Sequence, residues 1–138
     1  MAVTYLLQSA LLDVQLDEEH AWLYMAWKGP LAMAPVQAAC AQVLGFIQQT
    51  GVRKVLNDNT LVTQSSWELA RWVAENYLPR AAHLGIESVA WVQSADIFSR
   101  AYINTIEAAA GPLPQLALFE DVASAYEWLR LPTIPLPS

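Results

Sequence analysis

The chain has 138 residues, near the modal size of one domain, and folding at that length buries roughly two-thirds of the surface an unfolded chain exposes. Hydrophobic residues make up 55% of it and charged residues 14%, which excludes intrinsic disorder and predicts apolar contact extensive enough to include an interface. The formal net charge is −6 and the seven Lys and Arg are scattered, so the electrostatic footprint of a nucleic-acid binder is missing and anionic membranes are disfavoured.

Residues 3–7 and 10–16 read as short strands, the second alternating towards its end before the polar turn Asp17-Glu18-Glu19-His20. The first positive charge is Lys28, so the basic region of a secretory signal is absent from the start and no export by such a signal is expected. Residues 21–28 are apolar on both faces, as in a central strand, and Gly29-Pro30 is expected to end it, giving an antiparallel opening. The uncharged stretch 29–52 is long enough to cross a bilayer. It carries Pro30, Pro35, Gln37, Gln42, Gln48 and Gln49, however, and reads better as an amphipathic helix than as a membrane span. In that helix Pro35 suits the first turn, Val36, Ala39, Cys40, Val43 and Ile47 share one face, and Gly51 supplies the stop.

Residues 53–58 predict a short strand with polar residues at its carboxyl end, followed by a loop through Asn59, Thr60 and Thr63. A second helix starts near Ser65 or Ser66 and runs to about Pro79, with Glu68, Arg71 and Glu75 on one stripe and Trp67, Leu69, Trp72, Val73 and Tyr77 around the rest. Residues 88–92 form a buried-type strand. Ser94 or Asp96 then caps a helix containing Phe98, Tyr102 and Ile106, which ends at Gly111-Pro112. A last strand over 115–119 and a short helix over 121–129 complete the order. It predicts an α/β fold: a mixed sheet with an N-terminal antiparallel hairpin, then parallel β-α-β crossovers of right-handed sense and a terminal helix. Residues 1–131 are expected to form a single domain. Pro132, Pro135 and Pro137 make 132–138 an extended tail.

With Trp27-Lys28-Gly29 closing one strand, Val55-Leu56-Asn57-Asp58 closing another, and Phe119-Glu120-Asp121 leading through Trp128-Leu129 to the end, this order resembles the SpoIIAA-like family. Within it the chain is similar to the bacterial proteins described as STAS/SEC14-like. The resemblance spans nearly the whole chain through diffuse strand and helix signatures. In the anti-sigma-factor antagonists of that fold, a serine at the start of the helix after the third or fourth strand is phosphorylated, which controls binding to a kinase-like partner. The matching region here is 58–67, which places Ser65 and Ser66 near that position, with Trp67 where a glycine would follow the serine and a loop that looks shorter.

A serine at a helix start caps backbone N–H groups, and this is the favoured reading of Ser65 and Ser66; a phosphate there is electrostatically compatible with the helix N-terminus. Asp58, read as ending a parallel strand, is favoured as a turn aspartate. Ligand crevices of open α/β sheets lie outside strand carboxyl ends, so any polar site is expected around Asp58, Asn59, Ser65 and Ser66. His20 and His83 are expected to face solvent, with no metal-ligand spacing around them. Cys40 is expected to be a buried apolar residue. As the single cysteine it forms no internal disulfide, which fits a reducing, cytoplasmic setting. Glycine-rich phosphate loops, G-x-S-x-G and H-E-x-x-H are absent, and no catalytic residue or cofactor is expected.

The six tryptophans suit either a core or an interface. Trp22 and Tyr24 share one strand face, and with Trp67 and Trp72 on the second helix they are the candidate apolar interface. The leading expectation is a non-enzymatic binding or regulatory domain that recognises a protein partner or itself as a homodimer. The alternative, suggested by the SEC14-like part of the resemblance, is a carrier of a small hydrophobic or lipid-like ligand, which requires a cavity of about 300 Å³ or more.

Overall fold

A computed structural model of the chain describes residues 2–109 and 111–132. Three strands, β1 (Val3–Gln8), β2 (Leu12–Asp17) and β3 (Trp22–Pro30), form an antiparallel meander. The sheet continues in parallel through β4 (Lys54–Gln64), β5 (Ser88–Val92) and β6 (Gln115–Phe119), in the spatial order β1-β2-β3-β4-β5-β6. Helix α1 (Met33–Thr50) joins β3 to β4, and α2 (Trp67–Trp72), a π-helical turn (Val73–Tyr77) and α3 (Leu78–His83) join β4 to β5. Helix α4 (Ile97–Ala109) joins β5 to β6, and α5 (Val122–Arg130) follows β6. The mixed sheet and terminal helix read from the sequence are therefore present.

Strand periodicity of two sorts the side chains into two cores. Leu23, Met25 and Trp27 of β3, Val55 of β4 and Val89 of β5 share the face packed by the helices between the parallel strands. Trp22, Leu56, Ala90 and Val92 share the opposite face, where Ala125 and Leu129 of α5 lie on them. On α1 the buried residues are Val36, Ala39, Cys40, Val43 and Ile47, the stripe its spacing predicts. Gly51 ends that helix with φ 69°, its N–H donating to the Ile47 carbonyl at 2.9 Å, a backbone conformation that residues with a Cβ adopt at a cost.

Two expectations are corrected. β3 ends at Pro30 as expected, but the polar run after Asp58 is not a loop: the pairs Lys28↔Leu61, Gly29↔Val62 and Pro30↔Gln64 carry β4 on beside the last residues of β3. Between Ala26↔Asp58 and Lys28↔Leu61 three steps on β4 face two on β3, so Asn59 and Thr60 are absorbed by a bulge. There the Asp58 side chain accepts the Thr60 N–H at 3.0 Å, using turn chemistry inside a strand. Nor does the second helix stop at Pro79. Proline has no N–H to donate to Glu75, and the ladder shifts to the i−5 pattern, with the Leu78 N–H donating to the Val73 carbonyl, before continuing to His83. Of the tail expected over 132–138, all beyond Pro132 lies outside the described residues.

Candidate functional site

Three elements begin just beyond the carboxyl ends of the parallel strands: the overhang of β4, the start of α2 and the start of α4. Ser66 caps α2, its hydroxyl accepting the Leu69 N–H at 3.1 Å. Asp96 opens α4 by accepting the Ser99 N–H at 2.9 Å, and the Ser94 hydroxyl donates to the Val62 carbonyl at 2.7 Å, which ties the end of β5 to the overhang. The Arg100 guanidinium donates to the Ser94 carbonyl at 3.2 Å and to Glu120 at 2.5 Å, and that hydrogen bond, then its positive charge, holds the Glu120 carboxyl below its usual range.

Beneath these helix starts lies a cavity of about 70 Å³. Its wall includes Val36 and Cys40 of α1, Leu69, Val73 and Tyr77 of the second helix and Ile103 of α4. The π-helical turn carries both Val73 and Tyr77, so the one irregular stretch of that helix faces this space. From the sheet, Asn57 and Asn59 reach in, with the Asn57 side chain accepting the Trp27 indole N–H at 3.0 Å. Ser65, Gln93 and Arg100, all partly exposed, stand at the rim. Burial pushes the Cys40 thiol up to about 12, and burial next to Cys40 pushes the Tyr77 hydroxyl up as well, so both stay protonated and neutral.

The expected polar cluster is divided by the sheet. Asn59 and Ser65 line the cavity, whereas Asp58 points to the opposite face, where it accepts a hydrogen bond from the Tyr24 hydroxyl. Burial and then that bond to Asp58 raise the Tyr24 hydroxyl well above its ordinary value. The four aromatic candidates are divided likewise. Trp22 is 3% exposed under α5 and Tyr24 is partly buried beside it, while Trp67 is 43% exposed at the start of α2 and Trp72 packs on the main core. A groove of about 210 Å³ between the first strands and α5 is lined by Val3, Gln15, Asp17, Tyr24 and Tyr126. His83 is exposed, but His20 is not solvent-facing as expected. Its Nδ1 lies 3.0 Å from Asp17 and its Nε2 lies 2.9 Å from the Tyr126 hydroxyl, and its ring stacks on Trp22 at 4.5 Å, pinning the β2–β3 turn to α5.

Sequence reasoning missed a set of exposed apolar residues. Leu61 (59% exposed), Ile97 (71%) and Phe98 (65%) join Trp67 at the pole beyond the strand carboxyl ends. A signal existed: Asp96 as the cap places Ile97 and Phe98 in the first turn, and the inward residues Ile103 and Ile106 fix a face that excludes them. No group of three or more His, Cys, Asp and Glu able to hold a metal is found among the described residues, and no helix among them is long and apolar enough to cross a membrane.

No protein-family model matches the chain, and no curated protein matches it in sequence. Several solved structures are similar to it in fold, among them the following two. An uncharacterized protein of the DUF3478 family with a SpoIIAA-like fold, from Shewanella loihica PV-4, superposes with a TM-score of 0.57 at 15% identity, over 89% of this chain and 98% of its own. An anti-sigma factor antagonist from Mycobacterium paratuberculosis superposes with a TM-score of 0.52 at 13% identity, over 94% of this chain and 95% of its own. The chain has the SpoIIAA-like fold.

Proposed function

We propose that this chain is a non-enzymatic regulatory module that recognises another protein through the apolar pole formed by Leu61, Trp67, Ile97 and Phe98. The carrying observation is that four large apolar side chains, on two helix starts and a strand overhang at one end of the sheet, are left exposed, which marks that end as a contact surface. The fold it shares with an anti-sigma factor antagonist supports a regulatory role of this kind. A homodimer through the same pole is the second occupant of this surface. Of the two serines beside the pole, Ser66 caps the helix, and Ser65, which does not, is the candidate for modification in this reading.

A lipid-sized carrier fits less well, because neither the cavity of about 70 Å³ nor the groove of about 210 Å³ reaches the roughly 300 Å³ that a ligand of that class requires. The test is affinity capture from the native cell with the intact chain and with the Trp67→Ser, Phe98→Ser double variant, alongside sedimentation of both. A stoichiometric protein captured by the first and lost by the second supports the reading, as does a dimer that the substitutions dissociate. Capture and association unchanged by the substitutions would contradict it.

A further inference from the structure

The two edges of the sheet are built differently. At one edge, β6 is preceded by Pro112 and Pro114 and followed by Glu120 and Asp121, prolines and charges of the kind that block pairing with a further strand. At the other edge, β1 has neither: no residue from Ala2 to Leu12 is a proline or carries a charged side chain. Two apolar side chains of β1 are also open to solvent, Val3 at 41% and Tyr5 at 58%.

The strand register shows which backbone groups are open as well. The Ala2 carbonyl accepts the Glu18 N–H at 3.1 Å and Thr4 lies opposite Leu16, so Ala2 and Thr4 turn their N–H and C=O groups towards β2. Alternation along an antiparallel strand then turns those of Val3 and Tyr5 outward, where no strand among the described residues pairs with them. The side chains of these same two residues share one sheet face, Val3 opposite Asp17 and Tyr5 opposite Gln15. Open backbone and exposed apolar side chains therefore coincide at two positions placed evenly about Thr4.

That symmetry selects the occupant. A second copy running antiparallel, with a two-fold axis at Thr4, sets Val3 against the second copy's Tyr5 and Tyr5 against its Val3. Each such pair exchanges two N–H···O bonds, so four backbone bonds form together. An axis perpendicular to the sheet keeps the two exposed faces on one side, and each valine then covers a tyrosine in an aromatic–β-branched cross-strand pair. Charge does not oppose the contact although each chain carries −6, because the paired segments are neutral. Carboxylates begin only on the two β2 strands, three strand spacings or about 14 Å apart, which exceeds a Debye length of about 8 Å. We propose that this chain forms a two-fold homodimer through β1, joining two sheets into one. The contact is small, so the dimer is weak and its population depends on concentration. It lies at the sheet edge, apart from the apolar pole, and stands or falls separately from protein recognition there.

The test follows the intact chain by sedimentation velocity as its concentration is raised, and a monomer–dimer equilibrium is expected. Val3→Pro removes one outward N–H at the first residue of the strand, a position where proline leaves the inner ladder whole, and should weaken association about tenfold or more. The Trp67→Ser, Phe98→Ser double variant should leave it unchanged. Register is tested by disulfide formation under mild oxidation with copper phenanthroline, from which the buried Cys40 is shielded. Thr4 faces its own copy at about 4.5 Å between Cα atoms, within disulfide reach, so Thr4→Cys should give covalent dimer at least about tenfold faster than Gln8→Cys, which is exposed on the same strand but far from its copy. A chain that stays monomeric throughout, association kept by Val3→Pro or abolished by the pole variant, or equal crosslinking at the two cysteine positions would overturn the proposal.

Discussion

The Ser66 hydroxyl accepts the Leu69 N–H at 3.1 Å, while its neighbour Ser65 lines the cavity rim. The two residues are chemically alike, and the helix start alone separates their work: the residue in extended conformation just before the first helical turn reaches the orphan N–H groups. Replacing Ser66 by Ala removes the cap and is expected to lower stability by about 1 kcal/mol, whereas Ser65→Ala should fall within about 0.5 kcal/mol of the parent. Urea unfolding of the two variants checks this, and equal losses would show that the cap is shared. On the other face, Asp58 answers to Tyr24 and Thr60, which accounts for an acidic side chain that is only 5% exposed.

At the scale of elements, the legible parts were those whose pattern has one period and one partner. The stripe Val36, Ala39, Cys40, Val43 and Ile47 fixed α1, and Ser88 to Val92 fixed β5, because burial on one side or both leaves an unambiguous apolar trace. The stretch after Asp58, through Asn59, Thr60 and Thr63, reads as a loop for a sound reason, since polar residues of this kind favour turns. The pairing of Lys28 with Leu61 and Pro30 with Gln64 overrides that preference from outside the segment. The candidate site was half legible for a related reason: Asp58 and Asn59 are adjacent in sequence but alternate across a sheet, so a cluster read along the chain was split between two faces. Helix α5 shows the converse, because nothing in residues 121–129 says that their apolar side covers Trp22. Leu129 is 1% exposed there, and Leu129→Ala is expected to destabilise by about 2–5 kcal/mol. Denaturant unfolding measures it, and a loss below about 1 kcal/mol would mean that α5 is not an integral layer.

For the whole molecule, two buried neutral groups, Cys40 and Tyr77, and the partly buried Tyr24 set a limit on the alkaline side. Cys40 is raised by burial from an ordinary 9.0 to about 12, and the hydroxyls of Tyr24 and Tyr77 are raised above 10.0, chiefly by burial too. Each has a higher pKa folded than unfolded, so its contribution is complete below the unfolded value and is lost as pH rises towards the folded one. Stability is therefore expected to be flat up to about pH 9 and to fall between about 9 and 12, by up to about 1.4 kcal/mol per pH unit for each of the buried groups Cys40 and Tyr77, with a smaller share from Tyr24, whose partial exposure lets solvent screen it. Thermal unfolding across that range checks it, and a melting temperature unchanged to pH 11 would contradict the burial of these groups. The same molecule concentrates its exposed large apolar residues of α2, α4 and β4 at one pole, beyond the carboxyl ends of the parallel strands. Most directly, a photoreactive amino acid placed at Phe98 or Trp67, with Arg53 as an exposed control site, would be irradiated in the native cell. A discrete crosslinked protein, or a crosslinked dimer, formed from the two polar-end positions and not from Arg53 is the predicted result. Crosslinks absent from both positions, or no different from those at Arg53, would contradict the claim that this pole recognises a protein.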